Sequence, residues 1–258
     1  MKAIVLAAGR GERLMPLTSD CPKSLVDLGD GRTLLEEQVL GMRASGAIDE
    51  IVFVVGYQAV RVERRIGAWR DAPRLRTLFN PFFAVSNNLM SLWLARTEMS
   101  GDFIVTNGDN LFAPEVYRRM LAECGDGVFL ALSPKRTFDP DDMKAHVSRN
   151  RIQTVAKTLP AGRCRAESPG LVLVRGERAC ATFVETLERL AREQEHIGCF
   201  WLEVFNEMAR SGCPARPWYF DGRSSWQEID FHADVKIARA LLRSKLARLK
   251  PSALRKIA

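Results

Sequence analysis

The chain predicts an α/β fold in which a mostly parallel sheet carries helices on both faces, with a small accessory sheet beside it. Three observations predict it. Short apolar runs rich in β-branched residues recur along the chain, too short for helices and without polar alternation, as in strands buried on both faces. Runs with helical spacing of apolar residues alternate with them, the order that a parallel sheet requires. The first apolar run, Lys2-Ala3-Ile4-Val5-Leu6, ends in a loop of small residues and glycines, and ligands of open α/β sheets bind at such carboxyl ends of strands.

The remaining elements follow in order. Residues 33–45 read as a helix, with Leu34, Leu35, Val39 and Leu40 at helical spacing. Residues 51–55, Ile-Val-Phe-Val-Val, form a second buried strand closed by Gly56-Tyr57. A helix over 60–69 precedes a short strand at 75–78 that stops at Asn80-Pro81. Residues 87–95 are helical through Leu89, Leu92 and Trp93. The strand at 103–106 delivers Asn107-Gly108-Asp109-Asn110 at its carboxyl end, and 128–132 and 170–174 are further strands. The stretch after residue 135 is expected to form the accessory sheet over the site. Internal repeats and low-complexity segments are absent.

With 258 residues, 47% of them hydrophobic, the chain suits one α/β domain with a sizeable core. No apolar run reaches the roughly 18 residues of a membrane span, and the first residues lack a signal-peptide pattern. Six scattered cysteines without a CxxC and only three histidines argue against zinc and against a disulfide framework. A reducing cytoplasm is the expected location. The net charge of +7 suggests nucleic acid until it is located. No acid follows Asp234, whereas 236–258 hold Lys236, Arg239, Arg243, Lys245, Arg248, Lys250, Arg255 and Lys256. Setting these aside, the other 30 Lys and Arg nearly balance the 31 Asp and Glu. The chain is therefore divided into a domain at 1–235 and a basic helix or tail at 236–258, expected to pack Ile237, Ala240, Leu241 and Leu246 inward. No nucleic-acid partner is expected; a membrane contact through the tail and a homodimer stay open.

The chemistry concentrates in Leu6-Ala7-Ala8-Gly9-Arg10-Gly11-Glu12-Arg13-Leu14 and Pro22-Lys23. Small residues let backbone N–H groups approach a ligand, and Arg13 and Lys23 add fixed cations, the combination that a polyphosphate needs. The loop is not GxxxxGK[ST], because no Lys-Ser or Lys-Thr follows at that spacing. Nor is it GxGxxG, whose third glycine would fall at Leu14.

The segment resembles the nucleotidyltransferase family that makes sugar nucleotides and CDP-alcohols, whose opening runs roughly LAAGxGxRLxPLTxxxPKxL. Here the match continues through Met15-Pro16-Leu17-Thr18 and Pro22-Lys23-Ser24-Leu25. The resemblance implies a Rossmann-like sheet of the nucleotide-diphospho-sugar transferase type. It implies nucleotide contacts from Leu6, Ala7, Ala8, Gly9, Gly11 and Tyr57, with Arg13 and Lys23 as catalytic cations on the triphosphate. Glu12 departs from the pattern, which has a small hydroxyl residue there; beside a triphosphate its carboxylate is expected to turn away or pair with a cation.

Asp109 ends an apolar strand, which puts a carboxylate where a cleft begins; the alternative is a turn residue. Glu228 and Asp230 flank Ile229, so both carboxylates share a face of an extended segment, with a helix N-cap as the alternative for Asp230. By the resemblance, Asp109 and Asp230 hold one Mg²⁺, and oxygen ligands suit a hard cation. Asn87-Asn88-Leu89-Met90-Ser91-Leu92 looks like the phosphocholine cytidylyltransferase branch, in which such asparagines lie near the nucleotide; amides suit a pyrimidine edge. Lys157 sits where relatives place a lysine that grips the acceptor phosphate.

The implied reaction is Mg²⁺-dependent transfer of a cytidylyl group from CTP to phosphocholine, 2-aminoethylphosphonate or a similar small acceptor, with release of pyrophosphate. The acceptor oxygen is already an anion, so no general base is needed; Arg13, Lys23 and the metal would offset developing charge and Lys157 would orient the attack. The segment Phe138-Asp139-Pro140-Asp141-Asp142-Met143-Lys144 is acidic. Asp139, Asp141 and Asp142 suit an amine, and Lys144 a second anion or polyol. Trp218, Tyr219 and Trp226 are the alternative, an aromatic cage for a quaternary ammonium. Two other readings remain: a sugar-phosphate or other-NTP nucleotidyltransferase of the same fold, and a non-catalytic nucleotide-binding regulator.

Overall fold

The first strand is the axis of the molecule because its side chains leave alternately toward two helical layers. Ala3 and Val5 enter one core, Ile4 and Leu6 the other, and all four are buried. The computed structural model describes residues 1–29, 31–69 and 74–248, and the side chains of these except at 223 and 243–248. The elements of the first half are β1 (Lys2–Ala7), β2 (Asp27–Gly29), β3 (Arg32–Thr33), α1 (Leu34–Arg43), β4 (Glu50–Val55), α2 (Ala59–Gly67), β5 (Arg74–Phe79), α3 (Asn88–Leu94), β6 (Phe103–Asn107), β7 (Asn110–Phe112) and α4 (Pro114–Glu123). The second half adds β8 (Gly127–Pro134), β9 (Lys144–Ser148), β10 (Arg151–Ala156), β11 (Ala166–Glu167), β12 (Leu171–Arg175), α5 (Glu177–Ala191), α6 (Glu203–Arg210), β13 (Arg216–Tyr219), α7 (Gly222–Ser225), β14 (Trp226–Glu228) and α8 (His232–Arg248).

Ten strands form one sheet in the order β10-β9-β11-β8-β12-β6-β1-β4-β5, with β13 pairing alongside β8. The half β6-β1-β4-β5 is parallel throughout, so the carboxyl ends of β1 and β6 lie side by side: Leu6 is level with Asn107. The β12 strand enters antiparallel between β6 and β8. The segment after residue 135 extends this sheet through β9, β10 and β11, while β14 and β7 form a separate two-stranded ribbon.

Helices cover both faces. Leu35, Val39 and Met42 of α1, Val62 of α2 and Tyr117 of α4 pack on one; Leu89 of α3, Phe183 of α5 and Phe205 of α6 pack on the other. Helix α1 starts at Thr33 because of a capping box: the hydroxyl accepts from the Glu36 N–H at 3.3 Å and the Glu36 carboxylate accepts from the Thr33 N–H at 2.7 Å.

A third core holds the carboxylate segment in place. Leu14, Val26, Leu28 and Leu34 enclose Ile229 together with Val235 and Ala238 of α8. The α8 helix therefore crosses residues 235–236 and turns Val235, Ala238 and Leu242 inward. Of the residues expected to pack there, Ile237, Ala240 and Leu241 are instead exposed. The pocket around Ile229 fixes the helix phase, and it admits the stripe that begins at Val235. The side chain of Leu246, and residues 249–258 of the basic tail, lie outside the described residues.

Ile229 is wholly buried at the junction of β14 and α8. Ile229→Ala is expected to cost about 2–5 kcal/mol of unfolding free energy, the range for truncating a buried aliphatic side chain. Urea denaturation checks it; a loss under 1 kcal/mol would mean that α8 is not anchored through this residue.

Candidate active site

The carboxyl ends of β1 and β6, the β14–α8 junction and the β8–β9 segment enclose a cleft of about 1120 Å³. Leu6, Ala7, Ala8, Gly9 and Gly11 line one wall. Gly11 has φ 68° and ψ 43°, and a Cβ there would lie 2.9 Å from the Lys23 Cβ, so the position tolerates only glycine on both counts. Gly108 is constrained by proximity: a Cβ would lie 2.7 Å from that of Ala7. The two loops that carry the candidate chemistry thus touch through a glycine.

On this floor the charged side chains form an alternating series. Lys157 Nζ lies 3.1 Å from Asp141 Oδ1, whose carboxylate also accepts from Arg13 Nη2 at 3.3 Å. Arg13 Nη1 donates to Asp230 Oδ2 at 2.9 Å. Lys23 Nζ bridges Asp230 Oδ1 at 2.5 Å and Asp109 Oδ2 at 2.9 Å. Burial opposes the charge on Lys23, but the two carboxylates outweigh it and hold its pKa above the ordinary lysine value. Asp141 is held below the usual carboxylate range, first by its hydrogen bond from Lys157.

Glu228 completes the site. Carboxylate oxygens of Asp109, Glu228 and Asp230 all lie within 4.8 Å of one another. Glu228 faces the cleft, yet partial burial and then the charges of Asp109 and Asp230 push its carboxyl up to about 8. Lys23 bonds Asp109 and Asp230, Arg13 bonds Asp230, and Asp109 Oδ1 is buried without a hydrogen-bond partner. This oxygen-only donor set, with an excess of negative charge and an orphaned oxygen, fits a hard divalent cation such as Mg²⁺.

Other expected residues fall differently. Asn87 and Asn88 line the cleft, but both are engaged within the protein. Asn87 Oδ1 accepts from the Asn88 N–H at 2.7 Å, and Asn88 Oδ1 accepts from the Trp201 N–H at 2.8 Å. Tyr57 stands behind the phosphate loop: its N–H donates to the Ala8 carbonyl and its hydroxyl to the Ser19 carbonyl. Glu12 is exposed on the cleft rim and pairs with no cation among the described residues. Lys144 is buried in β9, its ammonium 3.5 Å from the Asp142 carbonyl, so it presents no charge to the cleft. Lys157 and Asp141 do line it. Of the three aromatic residues considered for a cage, Trp226 alone lines the cleft. Trp218 is buried against Phe220, and the ring of Tyr219 is exposed elsewhere.

A second charged group lines the cleft beside Asp141, where Lys135 and Glu167, which the sequence did not mark, join Asp139 and Asp142. Lys135 Nζ lies 2.7 Å from Asp142 Oδ2, 3.0 Å from Glu167 Oε2 and 3.5 Å from Asp139 Oδ2. Burial, against the pull of Lys135, pushes the Glu167 carboxyl up to about 7. Lys135 directly follows β8 and Glu167 ends β11, two strands that pair, so the two residues meet across 32 positions of sequence and no local signal marks them.

Residues 2–126 match the model of the nucleotidyl transferase family. This segment belongs to that family. Over 92% of its length the chain is 29% identical to a CMP-5'-(3-aminopropyl)phosphonate synthase of Streptomyces rubellomurinus. Over 47% of its length it is 33% identical to a choline-phosphate cytidylyltransferase of Streptococcus pneumoniae. The chain spans 38% and 50% of those two proteins. In fold it is similar to the CTP:phosphocholine cytidylyltransferase of S. pneumoniae (TM-score 0.73, 20% identity, 93% of this chain and 98% of the other). It is likewise similar to the inositol-1-phosphate CTP transferase of T. maritima (TM-score 0.75, 21% identity, 93% and 94%).

Removing the Lys23 ammonium leaves Asp109 and Asp230 facing each other and Glu228. Lys23→Met is therefore expected to lower unfolding free energy by about 1.5–3 kcal/mol, the range for hydrogen bonds to charged groups. Because the ammonium's pKa is raised in the fold, its contribution is complete at neutral pH and is lost only as pH rises through that raised value. The variant's deficit is therefore expected to be equal at pH 7 and pH 9. Urea titrations in which the deficit at pH 9 falls below half of that at pH 7 would refute this.

Proposed function

We propose that the chain transfers a cytidylyl group from CTP to a small acceptor that carries a phosphate or phosphonate at one end and an ammonium at the other, releasing pyrophosphate. One observation carries the reading: a single cleft holds a glycine loop with Arg13, Lys23 and three convergent carboxylates and, beside Asp141, the Lys135–Asp142–Glu167 group. Similarity to a CMP-5'-(3-aminopropyl)phosphonate synthase and to a choline-phosphate cytidylyltransferase supports both the nucleotide and the cationic acceptor.

In this reading the backbone of residues 7–11 cradles the triphosphate, and Arg13 and Lys23 offset charge on the departing pyrophosphate. A divalent cation held by Asp109, Asp230 and Glu228 would neutralise charge between the α-phosphate and the entering oxygen. Lys157, fixed by Asp141 and lying 5.0 Å from the centre of the Phe200 ring, orients the acceptor's anionic end. Asp141 alone pairs with two cations, Arg13 and Lys157, whereas Asp139, Asp142 and Glu167 share the single Lys135, so the ammonium end falls to that group.

Pyrophosphate release, measured with each of the four ribonucleoside triphosphates and a panel of acceptors, tests the assignment. CTP with an aminoalkyl phosphate or phosphonate is expected to give the highest kcat/KM. UTP with a sugar 1-phosphate as the best pair would replace it, and silence with every pair would favour a nucleotide-binding regulator. Asp109→Asn is expected to keep its fold by circular dichroism and lose turnover; activity within threefold of the unaltered chain would remove Asp109 from the mechanism.

The acceptor end makes a pH prediction. With its carboxyl near 7, Glu167 is mostly neutral at pH 6 and anionic at pH 8, so an ammonium-bearing acceptor should bind better as pH rises through that range. The KM for an aminoalkyl phosphonate is expected to fall by about threefold to tenfold between pH 6 and 8, an order-of-magnitude figure for gaining one charge-assisted contact. The acceptor's own second ionisation overlaps this range but is common to both proteins, so the comparison with Glu167→Gln isolates the residue. Parallel KM profiles for the two would remove Glu167 from acceptor recognition.

A further inference from the structure

Asp109 owes its position to a four-residue turn, Asn107 to Asn110, that joins β6 to β7. Most of that turn is held by its own neighbours. The Gly108 N–H donates to the Leu6 carbonyl at 2.8 Å, and the Asp109 carbonyl accepts from the Ile229 N–H at 2.9 Å. Asn107 Oδ1 accepts from Trp201 Nε1 at 2.8 Å, and Asn110 Oδ1 from Trp226 Nε1 at 2.7 Å. The two carbonyls that bracket Gly108-Asp109 are held from elsewhere. Gln38, on the buried face of α1, donates through Nε2 to the Asn107 carbonyl at 3.2 Å and to the Asn110 carbonyl at 2.9 Å.

Burial alone does not account for a glutamine here. Gln38 is 2% exposed and lies between Leu35 and Val39 on a face that otherwise enters the apolar core. Its Oε1 is buried without a hydrogen-bond partner, a cost that leucine or methionine would avoid. What an apolar side chain cannot supply is a pair of N–H donors spaced to reach both ends of one turn. The amide spans the residue that carries the orphaned Asp109 Oδ1, and it touches neither the cleft nor any charged group.

We propose that Gln38 is a positioning residue: its amide clamps the ends of the turn and so sets Asp109 within reach of Glu228 and Asp230. This rests on the reading of those three carboxylates as a divalent-cation site. Loss of the clamp should loosen the carboxylate geometry while the phosphate loop, held by Gly11, Thr18 and the Ala8–Tyr57 contact, stays as it is.

The test is Mn²⁺ binding to the nucleotide-free protein, read by water-proton relaxation, with CTP affinity measured in EDTA and thermal denaturation alongside. Gln38→Met, similar in size but without donors, is expected to weaken Mn²⁺ binding by about tenfold or more, as supporting partners of metal ligands commonly do. Metal-free CTP affinity should move less than twofold. Gln38→Glu keeps the shape without the amide and serves as the second variant, with the same expectation. Asn206→Leu removes another buried amide clamp, on the backbone of Val155 in β10, which bonds none of the three carboxylates. It should lower Tm comparably while leaving Mn²⁺ affinity intact. Mn²⁺ affinities of both Gln38 variants within twofold of the unaltered chain would overturn the proposal. An equal loss in Asn206→Leu would reduce Gln38 to a stability residue. If the unaltered chain and Asp109→Asn bind Mn²⁺ alike, the carboxylate-site reading itself fails, and that result is distinct from either outcome for Gln38.

Discussion

The structure depends on a concentration of carboxylates that the fold tolerates only by threading cations between them. Asp141, Asp230 and Asp109 alternate with Lys157, Arg13 and Lys23 across the cleft floor, each contact at 3.3 Å or less. Like charges this close raise one another's pKa unless opposite charges intervene, and at Glu228, which bonds no cation in the series, the charges of Asp109 and Asp230 add to a carboxyl already pushed up by desolvation. The arrangement is therefore under-neutralised at one point, where Asp109, Glu228 and Asp230 converge. A site meant only to stabilise the fold would be better served by apolar residues of similar volume. Persistent negative charge at the mouth of a phosphate loop is what a cation-assisted reaction of a polyphosphate requires.

Holding such a cluster rigidly is a packing problem, which the third core solves. Ile229 alternates with Glu228 and Asp230, so its burial among Leu14, Val26, Leu28 and Leu34 aims both carboxylates at the cleft. Leu14 and Val26 flank the segments that carry Arg13 and Lys23, so one apolar contact set registers the cations against the anions. Hydrophobic burial supplies the stability here, and the ion pairs spend part of it on geometry.

Much of this was legible in the sequence because it is local. A β-strand that ends in small residues, and an Asp that ends another, are statements about neighbours in the chain, and both hold at β1 and β6. The helix and strand order was legible for the same reason. What escaped depends on strand pairing or on helix phase. Lys135 and Glu167 meet only because β8 pairs with β11. Lys144 was read as a cleft residue from its place in an acidic run, yet β9 carries it into the interior. The phase of α8 was misread by one position in the stripe, since the buried pocket that selects Val235 and Ala238 is formed by residues two hundred positions away. Gln38 did leave a signal: it interrupts the apolar spacing of Leu34, Leu35, Val39 and Met42 with an amide, and a polar group at such a position needs a partner.

The two charged groups of the cleft resolve their charge in different ways. Lys23 lies between Asp109 and Asp230, so its ammonium is already committed to carboxylates. A polyphosphate that entered beside it would compete for that ammonium, and every contact it won would leave the carboxylates more negative and more receptive to a divalent cation. In the second group Lys135 faces Asp139, Asp142 and Glu167, and Glu167, desolvated by burial, holds its proton near neutrality. The first group is thus poised to take up a cation, the second to take up or release a proton.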